Sequence, residues 1–163
     1  VKLLRNTFPD AAITTDMIAG FPGETEEDHR ASLKFAKEIG FAEAHIFPYS
    51  RMEGTVAAGK KEQIPQSVKK ARTRDLLEVT KNASQAFMDQ MQQKEVWLLI
   101  EEKDEKSGYW IGTTPNYMRA AVRLPEDGHA GTYVHARING FVEASSTNHQ
   151  ASGLGTILRA EAL

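Results

Sequence analysis

Thr15-Asp16-Met17-Ile18-Ala19-Gly20-Phe21-Pro22-Gly23-Glu24-Thr25-Glu26-Glu27-Asp28 is the stretch from which the fold of this chain is read. Ala12 to Ala19 is an apolar run broken only by small hydroxyls and Asp16, which predicts a buried strand. Gly20 to Gly23 is a tight turn, and Thr25 with an acid three residues on, at Asp28, has the spacing of a helix start. His29, Leu33, Ala36 and Ile39 then fall on one helical face, and Gly40 is placed to stop the helix. Ala44 to Phe47 reads as a second strand running into Pro48-Tyr49-Ser50. Strand, turn, helix and strand make one βαβ unit, so the two strands are expected to be parallel. One such unit cannot close a sheet.

Upstream, Val1 to Arg5 enters a helix-like pattern with no capping residue before it, as in a fragment of a longer protein, and this helix ends near Asn6 to Asp10. Downstream, residues 59–66 are polar and read as a surface crossing. From Ser67 a helical stripe carries Val68, Leu76, Val79, Ala83, Ala86 and Phe87. Its other side holds Lys69, Lys70, Arg72, Arg74 and Lys81 against Asp75, Glu78 and Asp89, which reads as a solvated basic face. After Lys94 the period changes to two. Val96–Ile100, Tyr117–Leu124, Tyr133–Ile138, Phe141–Ala144 and Leu154–Leu158 are strand candidates, separated by Ser107-Gly108, Glu126-Asp127-Gly128, Asn139-Gly140 and Ser152-Gly153. Asn139-Gly140 between two apolar runs predicts a hairpin. Five short strands suggest a small closed barrel of OB or SH3 size. The expected organisation is an α/β portion over 1–64, a linking helix over 65–93 and an all-β barrel over 94–163.

The 163 residues include no cysteine, which excludes a disulfide framework, a thiol nucleophile and any Cys-held zinc or iron-sulfur site within the chain. Apolar runs are far shorter than the roughly 20 residues of a transmembrane helix, and no leader opens the chain, so the expected location is cytoplasmic with no membrane partner. A net charge of -2 means that a nucleic-acid partner must be held by a local patch. The five histidines have no metal-ligand spacing, and neither a catalytic nor a metal-ligating residue is assigned. Gly20 to Thr25 can be read as an anion cradle at a helix N-terminus, but the acids that follow favour a plain turn. Asp16, alone in an apolar strand, is either paired in the core or aimed at a ligand beyond the strand's C-terminal end.

In the barrel, alternation sets Met118, Ala120, Val122 and Leu124 on one face and Tyr117, Arg119 and Arg123 on the other. The next strand repeats this, with Val134, Ala136 and Ile138 inward and Tyr133, His135 and Arg137 outward. Aromatics that stack on unpaired bases beside guanidinium groups are a common RNA-binding arrangement. An ordinary polar solvent face has the same composition.

The block Thr15 to Asp28, then His45-Ile46-Phe47-Pro48-Tyr49-Ser50 and Gly54-Thr55-Val56-Ala57-Ala58, resembles the second half of the radical SAM barrel in methylthiotransferases. Pro65 to Leu76, with Val68-Lys69 and Arg72, resembles that family's linking helix, and the C-terminal part resembles its TRAM domain, a small OB-like β-barrel. The resemblance covers nearly the whole chain. It implies a partial parallel (β/α) barrel fragment, a linking helix and a TRAM barrel. The cofactors implied are S-adenosylmethionine and two [4Fe-4S] clusters in the full-length parent, none ligated by this chain. The implied reaction is radical methylthiolation at C2 of a tRNA adenosine, with this cysteine-free portion inactive alone. Asp16, Ile18 and Gly20, with Phe47, Pro48 and Tyr49, would line the adenosylmethionine site. Arg51, Tyr117, Arg119, Arg123, Tyr133 and Arg137 would face the tRNA anticodon loop. Met52 stands where the family commonly has Arg, with Arg51 as its substitute.

The blocks around His45 and around Thr114-Pro115-Asn116-Tyr117-Met118-Arg119 look most like the subgroup that acts on threonylcarbamoyladenosine 37. The isopentenyladenosine-tRNA and ribosomal-protein subgroups, and a non-enzymatic RNA-binding module, are the alternatives. A phosphate-binding α/β enzyme would need a complete sheet and a basic loop after Gly23. The missing N-terminal half is the expected partner, and an open barrel edge in 1–58 predicts self-association of the isolated chain.

Overall fold

A computed structural model describes residues 1–143 and 156–163. The elements run α1 (Lys2–Thr7), β1 (Thr14–Ala19), α2 (Glu26–Ile39), β2 (Glu43–Pro48), α3 (Val56–Gly59), α4 (Gln66–Gln90), β3 (Glu95–Asp104), β4 (Tyr109–Thr113), β5 (Arg119–Val122), β6 (Tyr133–Glu143) and β7 (Thr156–Ala162). They form two compact units, one of Ile13–Phe87 and one of Val1–Ala12 with Met88–Leu163. No helix among the described residues is long and apolar enough to cross a membrane.

In the first unit β1 and β2 pair in parallel, with Asp16 opposite His45 and Ile18 opposite Phe47. The capping box forms as the sequence requires. Thr25 Oγ accepts the Asp28 N–H at 3.1 Å and the Asp28 carboxylate accepts the Thr25 N–H at 2.9 Å. Gly40 closes α2 in the left-handed conformation, at φ +63°. Ala19, Ala36, Phe41, Ala44 and Leu76 form the buried core, with Met17, Leu33, Ile39, Ile46 and Val79 packed on it. These residues come from α2, α4, one face of the sheet and, for Phe41, the connection between α2 and β2. The strand read as buried is therefore covered on one side only, and Asp16 and Ile18 are exposed.

The basic face of α4 is not uniformly solvated. Lys70, Arg74 and Lys81 are exposed, but Lys69 and Arg72 are buried. Lys69 Nζ donates to the Tyr49 carbonyl at 3.1 Å and lies 4.8 Å from the centre of the Tyr49 ring. Arg72 Nη1 donates to the Glu24 carbonyl and to its carboxylate, both at 2.9 Å, and its Nη2 lies 3.5 Å from the Glu26 carboxylate. The turn after β1 and the end of β2 carry buried acceptors that must find donors. These two cations supply them, so a residue type usually found in water is fixed in the interior by its partners.

The second unit is built on a closed barrel with strand order β3-β4-β5-β7-β6. All neighbours are antiparallel except β5 and β7. Leu98, Ile100, Ala120, Val122, Ala136, Ile138, Leu158 and Ala160 are its buried residues at alternate strand positions. Asp10 reaches this unit's barrel through an ion pair with Lys94, and its carbonyl accepts from Asn116 Nδ2 at 2.7 Å.

The five strands are not the five expected. Tyr109–Thr113 is a strand the periodicity missed, and Asn139-Gly140 is a bulge inside β6 rather than a hairpin, marked by a register shift between Ile138 and Gly140. A strand that runs past the end of one partner while continuing along the other, in a closed barrel, bends there. β6 pairs with β3 over residues 133–137 and with β7 over residues 136–143, and the bulge lies beyond the last pair with β3. A Cβ on Gly140 would meet the Arg159 guanidinium at 2.9 Å, and that guanidinium bonds the Asn139 carbonyl. β5 is shorter than expected, leaving Tyr117 and Leu124 outside it. Ala144 and the Ser152-Gly153 turn fall outside the described residues, as does the start of the last expected strand.

Candidate nucleic-acid interface

The two strands on which alternation sets Tyr, His and Arg outward are not neighbours in the barrel. β5 borders β4 and β7, whereas β6 borders β7 and β3. The missed strand β4 explains this, because together with β3 it lies between them on one side. Pairing nevertheless aligns one outward row across four strands, Tyr133 opposite Leu99, Leu99 opposite Thr113, and Thr113 opposite Arg119. Three interstrand spacings of about 4.8 Å set its ends roughly 14 Å apart. The next rows on the β3–β6 side are Trp97 opposite His135 and Glu95 opposite Arg137.

Each side chain on this arc has a definite environment. Tyr117 sits in the β4–β5 turn at φ +64° with 84% of its surface exposed. A non-glycine residue is rarely held there, and this one is held by its N–H on the Thr114 carbonyl at 2.9 Å. Arg119 is bound through both terminal nitrogens to Glu101 and Glu102 at 2.7 Å. Arg137 meets Glu95 at 2.6 Å, and His135 Nε2 lies 3.3 Å from the same carboxylate. The Arg137 hydrogen bond holds the Glu95 carboxyl below its ordinary range, with further attraction from Arg137 and His135. Arg123 is exposed and lies 4.5 Å over the Tyr109 ring, with no carboxylate partner among the described residues. Lys103 lies 5.8 Å from the centre of the Trp110 ring. Between Arg119 and Arg123, Ala121 is buried with Ile111 and Ile157 in a small outer apolar cluster. That cluster divides the cationic face the alternation had drawn as continuous.

Sequence reasoning missed Trp97. It is 52% exposed and stacks on His135, with ring centroids 4.8 Å apart and planes 22° apart. The signal was present in the strand candidate itself, where Trp97 alternates with Val96, Leu98 and Ile100 and so must face outward with Glu95 and Leu99.

In the βαβ unit, Asp16, Ile18, His45 and Phe47 share the sheet face that the core does not cover. Ile18 and Phe47 are more than half exposed, and the His45 and Phe47 rings stack at 6.4 Å. Asp16 therefore belongs to the open face rather than to the core. Gly20 has its N–H on the Glu24 carboxylate at 2.5 Å, so the tight-turn reading holds over an anion cradle. Pro48 is exposed at the end of β2. Tyr49 is buried against Phe21 at 5.4 Å, its hydroxyl having no partner among the described residues. Arg51 is exposed, and its Nε donates to the Ala58 carbonyl at 3.1 Å.

No protein-family model matches the chain. Among curated proteins it is 35% identical, over 76% of its length, to the threonylcarbamoyladenosine tRNA methylthiotransferase of Bacillus subtilis. It is 44% identical, over 63% of its length, to the tRNA-2-methylthio-N6-dimethylallyladenosine synthase of Thermobifida fusca. To the ribosomal protein uS12 methylthiotransferase of Lachnoclostridium phytofermentans it is 39% identical over 74%. The chain spans 28%, 21% and 27% of the length of these relatives, respectively. On these matches the chain belongs to the radical SAM methylthiotransferase family.

Proposed function

We propose that this chain is the C-terminal portion of a methylthiotransferase acting on N6-threonylcarbamoyladenosine 37 of tRNA. The barrel is its TRAM domain and RNA platform, and the βαβ unit is the last part of a parallel (β/α) barrel that forms one side of the adenosylmethionine pocket. The observation that carries the RNA reading is the outer arc, with Tyr117, Trp97 and Tyr133 held out into solvent beside Arg119 and Arg137. The Bacillus subtilis relative, matched over 76% of this chain, supports the threonylcarbamoyl substrate. The dimethylallyladenosine reading is supported by the higher identity, 44%, of the Thermobifida fusca relative.

The open face of the βαβ unit suits the nucleoside part of adenosylmethionine. Asp16 offers a carboxylate acceptor to ribose hydroxyls, and Ile18 and Phe47 offer apolar surface to a purine at the C-terminal ends of the strands. When bound, adenosylmethionine supplies radical chemistry that belongs to the cofactors rather than to these side chains. An iron-sulfur cluster does not fit this chain, which has no cysteine to hold one. The portion is accordingly inactive alone. Its uncovered Ile18 and Phe47 pack against the remaining barrel in the parent and against a second copy in isolation, so sedimentation should detect concentration-dependent association.

The test is a titration of this chain with anticodon stem-loops, with and without threonylcarbamoyl at position 37, at two salt concentrations. Affinity should fall with salt and favour the modified loop, and Arg119→Ala with Arg123→Ala should weaken it and flatten its salt dependence. Absence of binding would overturn the platform reading. Preference for an isopentenyl loop would move the substrate to the second reading.

A further inference from the structure

We propose that Trp97, stacked on His135 and flanked by Tyr133, is a subsite that takes one unpaired RNA base by stacking. The inference rests on the RNA-platform reading above and adds a site to it. An indole in a β-strand ordinarily contributes its large surface to a core, yet 52% of Trp97 is exposed and its partner is an imidazole on the next strand. Glu95 sits one row away and fixes both neighbours, holding His135 Nε2 at 3.3 Å and Arg137 at 2.6 Å. The His135 plane, and with it the indole it stacks on, is thereby preorganised, which lowers the ordering cost of binding.

Tyr133, 68% exposed on the adjoining row, offers a second ring one residue pair along the strand. Arg137 spends one guanidinium nitrogen on Glu95, and its other N–H groups have no partner among the described residues, leaving donors for phosphate beside the rings. The strands under this face are paired on both sides in the closed barrel, so an added peptide strand has no edge to extend. Planar rings on rigid strands with cations alongside suit single-stranded RNA, whose bases present open π-faces, and not duplex RNA, whose bases are already stacked.

The test uses the whole chain in a Trp110→Phe background, so that Trp97 is its one tryptophan, with an eight-nucleotide oligoadenylate, an anticodon stem-loop and a blunt RNA duplex as probes. Oligoadenylate and stem-loop should quench Trp97 fluorescence saturably, and the duplex should not. Trp97→Ala should weaken oligoadenylate binding about 5- to 140-fold, which corresponds to the loss of one stacked base. Trp97→Phe should restore most of the affinity, and unchanged far-UV circular dichroism should accompany both. If RNA binds but leaves Trp97 fluorescence unchanged and Trp97→Ala binds as tightly, the subsite is overturned while the platform reading stands. If no RNA binds, both fall. Quenching by the duplex equal to that by oligoadenylate would also overturn the stacking assignment.

Discussion

Replacing Gly20 by alanine separates two effects that a glycine at a turn usually confounds. Gly20 has φ +72°, and an L-residue held in that region costs about 1–2 kcal/mol. Its would-be Cβ also lands 2.5 Å from Lys69 Cγ, 3.2 Å from its Cβ and 3.3 Å from its Cα. Those atoms are the root of a side chain on α4 whose amine is fixed on the Tyr49 carbonyl, so they cannot swing aside as a free lysine would. Overpacking of this kind adds about 1–3 kcal/mol, for a total of about 2–5. Gly23 is the internal control, because its φ is +89° and nothing lies within 4 Å of its would-be Cβ. Gly23→Ala should lose only the backbone part, about 1–2 kcal/mol. Urea unfolding of the two variants, followed by far-UV circular dichroism, reports on α2 and α4. Fluorescence reports separately on the barrel, since Trp97 and Trp110 are the chain's only tryptophans. Equal losses for Gly20→Ala and Gly23→Ala would refute the packing argument. Lys69→Ala in the Gly20→Ala background should recover part of the excess, and a simply additive double variant would refute it independently.

Arg72→Met should cost the βαβ unit about 3 kcal/mol, because it strands the largely buried Glu24 carboxylate, and a thermal-melt loss under about 1 kcal/mol would contradict the buried-cation reading. Gly112→Ala should destabilise the barrel by about 3 kcal/mol, since its Cβ would lie 2.6 Å from the Leu99 carbonyl; an unchanged fluorescence-detected urea midpoint would count against it. Hydrogen bonds from the Thr25 N–H and hydroxyl, with Arg72 attraction behind them, hold Asp28 below its ordinary 3.8, and the Arg137 bond holds Glu95 below 4.5. Both folded values are depressed, so the stability they contribute is complete above those ordinary values and is lost as pH falls through the lowered ones. Asp28→Asn should flatten the helix-detected acid transition, and an unaltered acid limb would argue against the capping carboxylate as its source.

The βαβ unit was legible because local chemistry and global packing agree there: Thr25 and Asp28 start α2, Gly40 ends it, and the Leu33-Ala36-Ile39 stripe is the core face. The burial of Lys69 and Arg72 was not, since a basic helix face has the same composition whether it meets water or the carbonyls of a neighbouring turn. In the barrel, alternation found the inward residues but not the pairing partners, which depend on contacts distant in sequence. The Asn139-Gly140 pair has the composition of a hairpin turn, and only the continuation of β6 along β7 past its last pair with β3 makes it a bulge. For the candidate site, the outward tyrosines and arginines were readable one strand at a time. Their assembly through β3 and β4, and the ion pairs of Arg119 and Arg137, required the fold.

The parallel seam between β5 and β7 has a kinetic consequence. β3, β4 and β5 can assemble from near neighbours in the chain, but the ring closes only when two pairings distant in sequence form, Leu99 opposite Tyr133 and Ala120 opposite Leu158. Until β7 docks, β5 and part of β6 are open edges able to pair with other chains, so closure is the step at which folding and aggregation compete. Amide protons of β5 that bond to β7 should gain protection during refolding after those of the β3–β4–β5 meander, with excess β7 peptide suppressing aggregation before that point.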